Sequence, residues 1–332
     1  MQGAHEESQI LRVRAFSYSR ASTLADAAER LTSAATVPLG GGTDLLSCIE
    51  DGLLAPDTVV DLRGVTNGAA LVWAAGGGLR IGSAARIHDL ATDTRVRDRF
   101  AALAQACAAV GSPALRHMGT LGGNLCQRPR CWYLRRGVSC FKNGGSACPA
   151  KVGENQHHAV LDGGPCYMVH PSDPAVALLA LDAEVELIAS DSARRVPIAE
   201  FFVLPSRRMD QETVLQPGEF VSAVYLPDAA AGGAQFYRKL TQRGAWDFAL
   251  ASIAGVKRLD GTVRLAMGGV SPRPWRVPES IEEDVASGGL DEDSVNALAE
   301  RALYDAKPLS QNGYKVDLAA SLLRDAMREL AA

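Results

Sequence analysis

Residues 117–173 hold five of the chain's seven cysteines, Cys126, Cys131, Cys140, Cys148 and Cys166; the other two are Cys48 and Cys107. Between them stand mostly Gly, Pro, Asn, Asp, Arg and Lys, with little apolar periodicity. A segment of that kind has few ways to bury a core, and conformational entropy opposes its ordering. Something besides packing is therefore expected to hold it, and thiolates converging on a metal or metal–sulfur centre would do so. The intervals run Cys126-x4-Cys131-x8-Cys140-x7-Cys148-x17-Cys166. None is C-x2-C, which excludes a ferredoxin-type run and a zinc-finger pair. Four thiolates suit a [4Fe–4S] cluster or a structural zinc ion, and spacing leaves both open. Cys126 belongs to a glycine phrase, so Cys131, Cys140, Cys148 and Cys166 are the favoured ligands. His157, His158 and His170 lie within or beside this region; lone histidines in polar loops are more often bystanders than ligands.

Two glycine phrases carry the second signal. The apolar strand Thr36–Leu39 runs into Gly40, Gly41, Gly42, Thr43 and Asp44, and a helical stretch begins at Leu45. Backbone N–H groups in such a loop, ahead of a helix, suit a phosphate or pyrophosphate. A tight turn is the plainer reading, but three consecutive glycines exceed what a turn needs. The spacing is neither the Rossmann G-x-G-x-x-G nor a P-loop, since no Gly-Lys-Ser/Thr follows. The second phrase is Gly119-Thr-Leu-Gly-Gly-Asn124, with Thr120, Gly122, Gly123 and Asn124 placed to meet a ligand backbone-first. A dinucleotide touching both phrases is the economical explanation. Asp173 follows the cysteine region and opens a helix, where capping alone would account for it. No convincing nucleophile–base pair stands out.

At 332 residues the chain is expected to form two domains. A net charge of −4 with no basic block gives nucleic acid no electrostatic footprint. No apolar run approaches the roughly 20 residues that span a bilayer. The acidic, polar start MQGAHEESQI does not resemble a signal peptide. Folding in the cytoplasm is expected, with a periplasmic destination on a partner's export signal as the alternative.

Periodicity and punctuation give the elements. A disordered tail is expected at 1–9, followed by a strand at 13–18 and a helix at 23–33 capped by Ser22. Short strands are expected at 59–62, 71–75 and 79–82. A helix at 87–91 precedes one longer helix at 96–110, which carries Cys107 on its apolar face. Cys48 and Cys107 read as packed core thiols. A helix at 174–181 and strands at 184–189 and 219–226 complete a first domain over residues 10–227, with the insert at about 126–168. The linker Pro227-Asp-Ala-Ala-Ala-Gly-Gly233 leads to a second domain at 234–332. That domain is expected to be a three-stranded antiparallel sheet (234–240, 248–259, 263–270) with a hairpin at Asp260-Gly261, backed by three helices. The fold class is α+β.

These residues resemble a known family. Pro38-Leu-Gly-Gly-Gly-Thr-Asp-Leu-Leu46, Arg80-Ile-Gly-Ser-Ala84, Arg116-His-Met-Gly-Thr-Leu-Gly-Gly-Asn124, Ser172-Asp173-Pro-Ala and Arg238-Lys239 are similar to phrases of the FAD-binding (medium) subunits of molybdenum hydroxylases, the xanthine dehydrogenase and carbon monoxide dehydrogenase family. The likeness covers nearly the whole chain. Arg130-Cys131-Trp-Tyr133 and the cysteines after it resemble the subgroup with an added [4Fe–4S] cluster, which includes bacterial aldehyde oxidoreductases and 4-hydroxybenzoyl-CoA reductase. Residues 153–161 and His170-Pro-Ser-Asp173 look closer to the aldehyde oxidoreductases.

The resemblance implies a two-lobed FAD-binding domain (PCMH-type) and a small second domain. It implies FAD lined by Gly40, Gly41, Gly42, Thr43, Asp44, Leu45, Thr120, Gly122, Gly123 and Asn124, with Asp173 nearby and Lys239 reaching in from the second domain. It supports cluster ligation by Cys131, Cys140, Cys148 and Cys166. The implied partners are a large molybdopterin-binding subunit, a small [2Fe–2S] subunit and an external electron acceptor, with substrate chemistry on the large subunit. A stand-alone flavin oxidoreductase and a zinc-stapled interaction module are the competing readings.

Overall fold

The computed structural model describes residues 13–331; the tail expected at 1–9 lies outside them. Three sheets organise the chain. The first is parallel, with β1 (Ser17–Arg20), β2 (Thr36–Leu39) and β3 (Thr58–Asp61) in the order β1-β3-β2. The helix Leu24–Arg30 crosses from β1 to β2. Its cap is Thr23 rather than Ser22, because Thr23 Oγ1 accepts from Asp26 N at 3.0 Å while Asp26 accepts from Ser22 N at 2.8 Å. The glycine run follows β2, and the six-residue helix Leu45–Glu50 follows it.

The second sheet is antiparallel, with β4 (Leu71–Trp73), β5 (Leu79–Gly82), β6 (Glu184–Ile188), β7 (Ala193–Pro197) and β8 (Phe220–Leu226) in the order β4-β5-β8-β6-β7. Six of the seven residues of β8 are buried, as its central place requires. This sheet shares one apolar core with the helices Ala101–Ala108 and Asp173–Ala180. The single helix expected at 96–110 is two, Thr94–Arg99 and Ala101–Ala108. The break falls at Phe100, whose φ of −136° and ψ of 56° leave the helix while its ring is wholly buried against Trp73, centroids 6.0 Å apart. Apolar periodicity runs across the break, which is why the sequence reads as continuous.

The third sheet has four strands, not the expected three: β9 (Ala234–Leu240), β10 (Ala251–Lys257), β11 (Val263–Gly268) and β12 (Trp275–Arg276), in the order β12-β11-β10-β9. The added strand is two residues long, too short to leave a period in the sequence. The hairpin forms as expected, with Gly261 at φ +88° and Asp260 accepting from Thr262 N at 2.9 Å. The helices Glu279–Ala286, Glu292–Ala302 and Tyr314–Ala331 bury the sheet's outer face. From the inner face, Tyr237, Ala254, Val256 and Ala266 join the core of the first domain.

The two domains therefore share a core, and charge reinforces the seam. Asp182, in the left-handed region at φ 51°, sits among Arg258, Arg264 (3.2 Å) and Arg276, all from the third sheet or its edge. The segment expected as a linker is packed as well: Ala230 and Ala231 are buried, Asp228 accepts from Gly78 N, and Gly232 N donates to Arg99 O at 2.7 Å.

The cysteine insert contains only short helical turns, Trp132–Arg135 and Pro149–Lys151. Its second half nevertheless has an anchor made of protein alone. Val160 and Leu161 enter the core of the second domain, and both donate backbone N–H groups to Val270 O, at 2.9 and 3.0 Å. Asn155 exchanges bonds with Gln311 and reaches Ser310 Oγ at 3.0 Å. Asn312 donates to His158 O at 3.0 Å. Lys315, wholly buried on the last helix, donates to the carbonyls of His157 (3.2 Å), His158 (3.1 Å) and Gly269. Packing, which the sequence did not suggest for this segment, holds half of it.

Two outcomes follow for stability. Asn tolerates the backbone of Asp182, so Asp182→Asn should remove the charge alone and cost about 1–2 kcal/mol, less than a fully buried pair because its surroundings are partly solvated; a thermal melt measures the loss. Lys315→Met should strand three buried carbonyls and cost about 3 kcal/mol or more, with limited proteolysis of residues 136–158 rising before global unfolding.

Candidate functional site: two glycine phrases, a buried ion pair and a thiol cluster

The two glycine phrases meet backbone to backbone. A Cβ on Gly41 would lie 1.9 Å from the Met118 carbonyl oxygen, and one on Gly40 would lie 2.4 Å from Thr120 Oγ1. Gly42 has φ +75°, where side chains are disfavoured. The second phrase is itself fixed from outside, since Ile87 N donates to Gly119 O (3.0 Å), Leu121 N to Ala85 O (2.8 Å) and Gly122 N to Ser83 O (2.9 Å). A Cβ on Gly122 would lie 2.7 Å from Ser83 Cβ. Gly123 differs: only Thr120 Oγ1, at 3.0 Å, stands near its missing side chain.

A cavity of about 270 Å³ opens on one side of this junction, with Thr43, Asp44, Thr120, Gly123, Asn124, Asp173 and Lys239 in its wall. A smaller one of about 100 Å³ lies on the other side, against Gly40, Thr120, Gly122 and Gly123. Thr120 and Gly123 thus separate the two spaces. Among the residues singled out from the sequence, Gly41, Gly42 and Leu45 are in neither wall. Gly41 is placed against Met118, and Gly42 faces Leu39 and Leu46.

Two acids anchor the larger cavity. Asp44 accepts from Arg128 N and Arg135 Nη2, both at 2.7 Å, and pairs with Arg130. Burial alone would raise its pKa, but these three donors hold the carboxyl below its usual range. Asp44 therefore pins the root of the cysteine loop to the glycine loop. Asp173, the first residue of its helix, is buried; Ser172 is the cap, accepting from Ala175 N at 3.1 Å and bonding Asn124 Oδ1 at 2.5 Å. Asp173 accepts from Tyr237 Oη (2.6 Å) and Lys239 Nζ (2.8 Å), both from the second domain. Burial keeps its pKa above the ordinary value despite Lys239, and burial together with Asp173 pushes Tyr237 well above its own. The pair places one ammonium group in the cavity wall on a rigid strand.

The four favoured cysteines come together. Cys131, Cys140, Cys148 and Cys166 all border one small cavity of about 10 Å³, with His158 beside them. The thiols of Cys148 and Cys166 are paired, which lowers the Cys148 pKa and raises that of Cys166. Cys131 Sγ lies 3.4 Å from His158 Nε2. Among the described residues, no three His, Cys, Asp or Glu side chains stand close enough to hold a single metal ion. Cys126 lies apart, in the wall of the smaller glycine-side cavity, where burial pushes its thiol up to about 12. Cys48 and Cys107 are wholly buried, and burial raises both. Cys48 also meets Arg135 Nη1 at 3.2 Å.

Some site residues are not legible in the sequence. The connection after 234–240 reads as a turn and Phe248 as the start of a strand, yet Arg243, Trp246, Asp247 and Phe248 stand at the larger cavity, in the loop between β9 and β10. Asp247 ties the loop by accepting from Gln242 N (3.1 Å) and Arg243 N (3.0 Å). Arg130 lies over the Phe248 ring at 5.4 Å. The available signal is composition: Arg, Trp, Asp and Phe within six residues of an otherwise short connection.

Comparison with known proteins gives the family. Residues 14–229 match the family described as the FAD binding domain in molybdopterin dehydrogenase, and residues 235–330 match the CO dehydrogenase flavoprotein C-terminal domain. The aldehyde oxidoreductase FAD-binding subunit PaoB of Escherichia coli is 37% identical, over 96% of this chain and 99% of its own. The glyceraldehyde dehydrogenase medium chain of Sulfolobus acidocaldarius is 28% identical, over 95% and 98%. The same fold occurs in CO dehydrogenase from Oligotropha carboxidovorans, with a TM-score of 0.74, 21% identity and coverage of 96% of this chain and 98% of that one. The chain belongs to the FAD-binding medium subunits of the molybdenum hydroxylase family and is an oxidoreductase subunit of such a complex.

Proposed function

We propose that this chain is the electron-transfer subunit of a molybdenum-dependent aldehyde oxidoreductase, with FAD across the two glycine phrases and a [4Fe–4S] cluster on Cys131, Cys140, Cys148 and Cys166. The observation that carries the reading is the junction at Thr120 and Gly123, a side-chain-poor wall between two cavities that suits a long, bent dinucleotide. The likeness to an aldehyde oxidoreductase subunit favours aldehydes as the substrate class of the whole complex. In this reading, substrate is oxidised on a large molybdopterin subunit, a small [2Fe–2S] subunit relays electrons, and an external acceptor removes them.

FAD supplies acceptance of single electrons and their release singly or in pairs. The chain's own residues supply position and charge. Gly40, Thr43, Asp44, Gly122 and Asn124 shape the walls, and Gly41, Gly42 and Leu45 keep the first loop in place behind them. Lys239 offers a buried positive charge to an electron-rich ring, with its position set by Asp173.

For the cluster, the donor set fits: four sulfurs border one cavity, with no carboxylate in its wall. The choice of an iron–sulfur cluster over zinc rests on the resemblance carried by Arg130-Cys131-Trp-Tyr133 and the cysteines after it.

Gly123→Val fills the shared wall while touching little else. It should leave the fold intact by circular dichroism and lower the flavin-to-protein ratio of the purified chain at least tenfold. Unchanged flavin content would remove the junction from the cofactor site. Anaerobically purified protein should contain about four irons and four acid-labile sulfides per chain, and Cys148→Ser should lower both while flavin is retained. Zinc in place of iron would sink the cluster assignment.

A further inference from the structure

The wall of the thiol cavity contains one residue that neither ligation nor apolar packing explains. Besides the four cysteines and His158, it is made of Tyr133, Leu134, Phe141, Pro149 and Met168, and of Lys142. The Lys142 side chain is only 2% exposed. Lysine is almost never buried to that degree without a partner, and here the partners are fixed. Nζ donates to Met209 O at 2.8 Å and lies 2.8 Å from Glu212 Oε1. Glu212 is buried too, and its other carboxylate oxygen lies 3.0 Å from Arg128 Nε.

Local structure on both sides holds this group in place. Cys140 O accepts from Asn143 N and Gly145 N, both at 2.8 Å, which closes a tight turn around Lys142. The turn needs its glycines: Gly144 has φ +71°, and a Cβ on Gly145 would lie 2.7 Å from Cys140 N. Met209 and Glu212 belong to the connection between the helix Ile198–Phe201 and β8, where Val203 N donates to Glu212 O at 3.0 Å. The ammonium group is therefore clamped between the cysteine loop and the first domain.

Its charge is not fully cancelled. Lys142, Glu212 and Arg128 together carry one positive charge, and of the three only Lys142 is in the cavity wall. A charge behind apolar walls acts at low effective dielectric. An ammonium group also has three protons to donate, and Met209 and Glu212 take two. Net charge and hydrogen bonds to sulfur are what set the potential of an iron–sulfur centre. A four-thiolate centre gains one negative charge with each electron, so a cation in its wall favours the reduced state.

We propose that Lys142 sets the reduction potential of the centre held by Cys131, Cys140, Cys148 and Cys166, raising it above what four thiolates alone would give, with Glu212 as the counter-charge that moderates the effect. This rests on the cluster assignment made under the proposed function.

The test uses the purified, cofactor-loaded complex, titrated anaerobically with dithionite while the low-temperature EPR signal of the reduced cluster is followed. Lys142→Met keeps the length of the side chain and removes its charge. It should lower the equilibrium constant for one-electron reduction by about tenfold, a shift of about 59 mV to more negative potential. Glu212→Gln removes the counter-charge and should shift the potential the opposite way. A clamp with no electrostatic role would loosen the loop in both variants and move both potentials in one direction. Shifts of the same sign, or an unchanged potential in Lys142→Met with its iron retained, would overturn the proposal. If Lys142→Met does not assemble the cluster, the upward shift in Glu212→Gln decides, and its absence overturns the proposal. A wild-type complex lacking both the signal and the iron would instead overturn the cluster assignment itself, and the proposal with it.

Discussion

The carbonyl oxygen of Met118 occupies the space that any side chain on Gly41 would need. Much of the site depends on that contact. It brings the loop after β2 against the loop before Leu121, two segments nearly eighty residues apart. Their shared surface divides one large space from one small one. Glycine is required here less for flexibility than for thinness, because two backbones must touch where a side chain would hold them apart. The larger sheet sets the second loop through Ser83, and the parallel sheet sets the first, so the junction registers two halves of one domain.

Asp44 and Asp173 extend this logic to the rest of the chain. Asp44 collects three donors from residues 128–135 and fixes where the cysteine loop leaves the glycine site. Asp173 collects Tyr237 and Lys239 from β9 and fixes where the second domain meets the first. Asp173 is buried and Asp44 half-buried, each beside partners from a distant segment, an arrangement that sets geometry more surely than it adds stability. The cavity wall is therefore assembled from several separate stretches, each held by a charge.

Much of this was legible in the sequence, for identifiable reasons. Strand-period and helix-period patterns located most of the strands and the last three helices to within a few residues, but β7 (Ala193–Pro197) was missed and β1 begins four residues after the start of the strand expected at 13–18. The glycine phrases announced themselves by excess, and the thiol set by density. What escaped was structure without a period. Phe100 breaks a helix inside an unbroken apolar pattern, because the break serves a tertiary contact. Strand β12 is too short to repeat. The loop carrying Trp246 and Phe248 has turn-like length and site-like content. The anchor of the insert was invisible because it is made by residues 310–315, far along the chain, through backbone carbonyls that carry no side-chain signature.

That anchor has a bearing on how the protein comes into being. Synthesis proceeds from the N-terminus, and domains tend to order as they emerge. The cysteine loop emerges near the middle of the chain, yet Asn312 and Lys315 appear almost at its end. Until then the carbonyls of His157 and His158 lack their donors, and Val160 and Leu161 lack their core. The second half of the cysteine loop therefore takes its place only after the last helix docks, while Asp44 can hold the first half earlier, so the two halves of the loop order at different times.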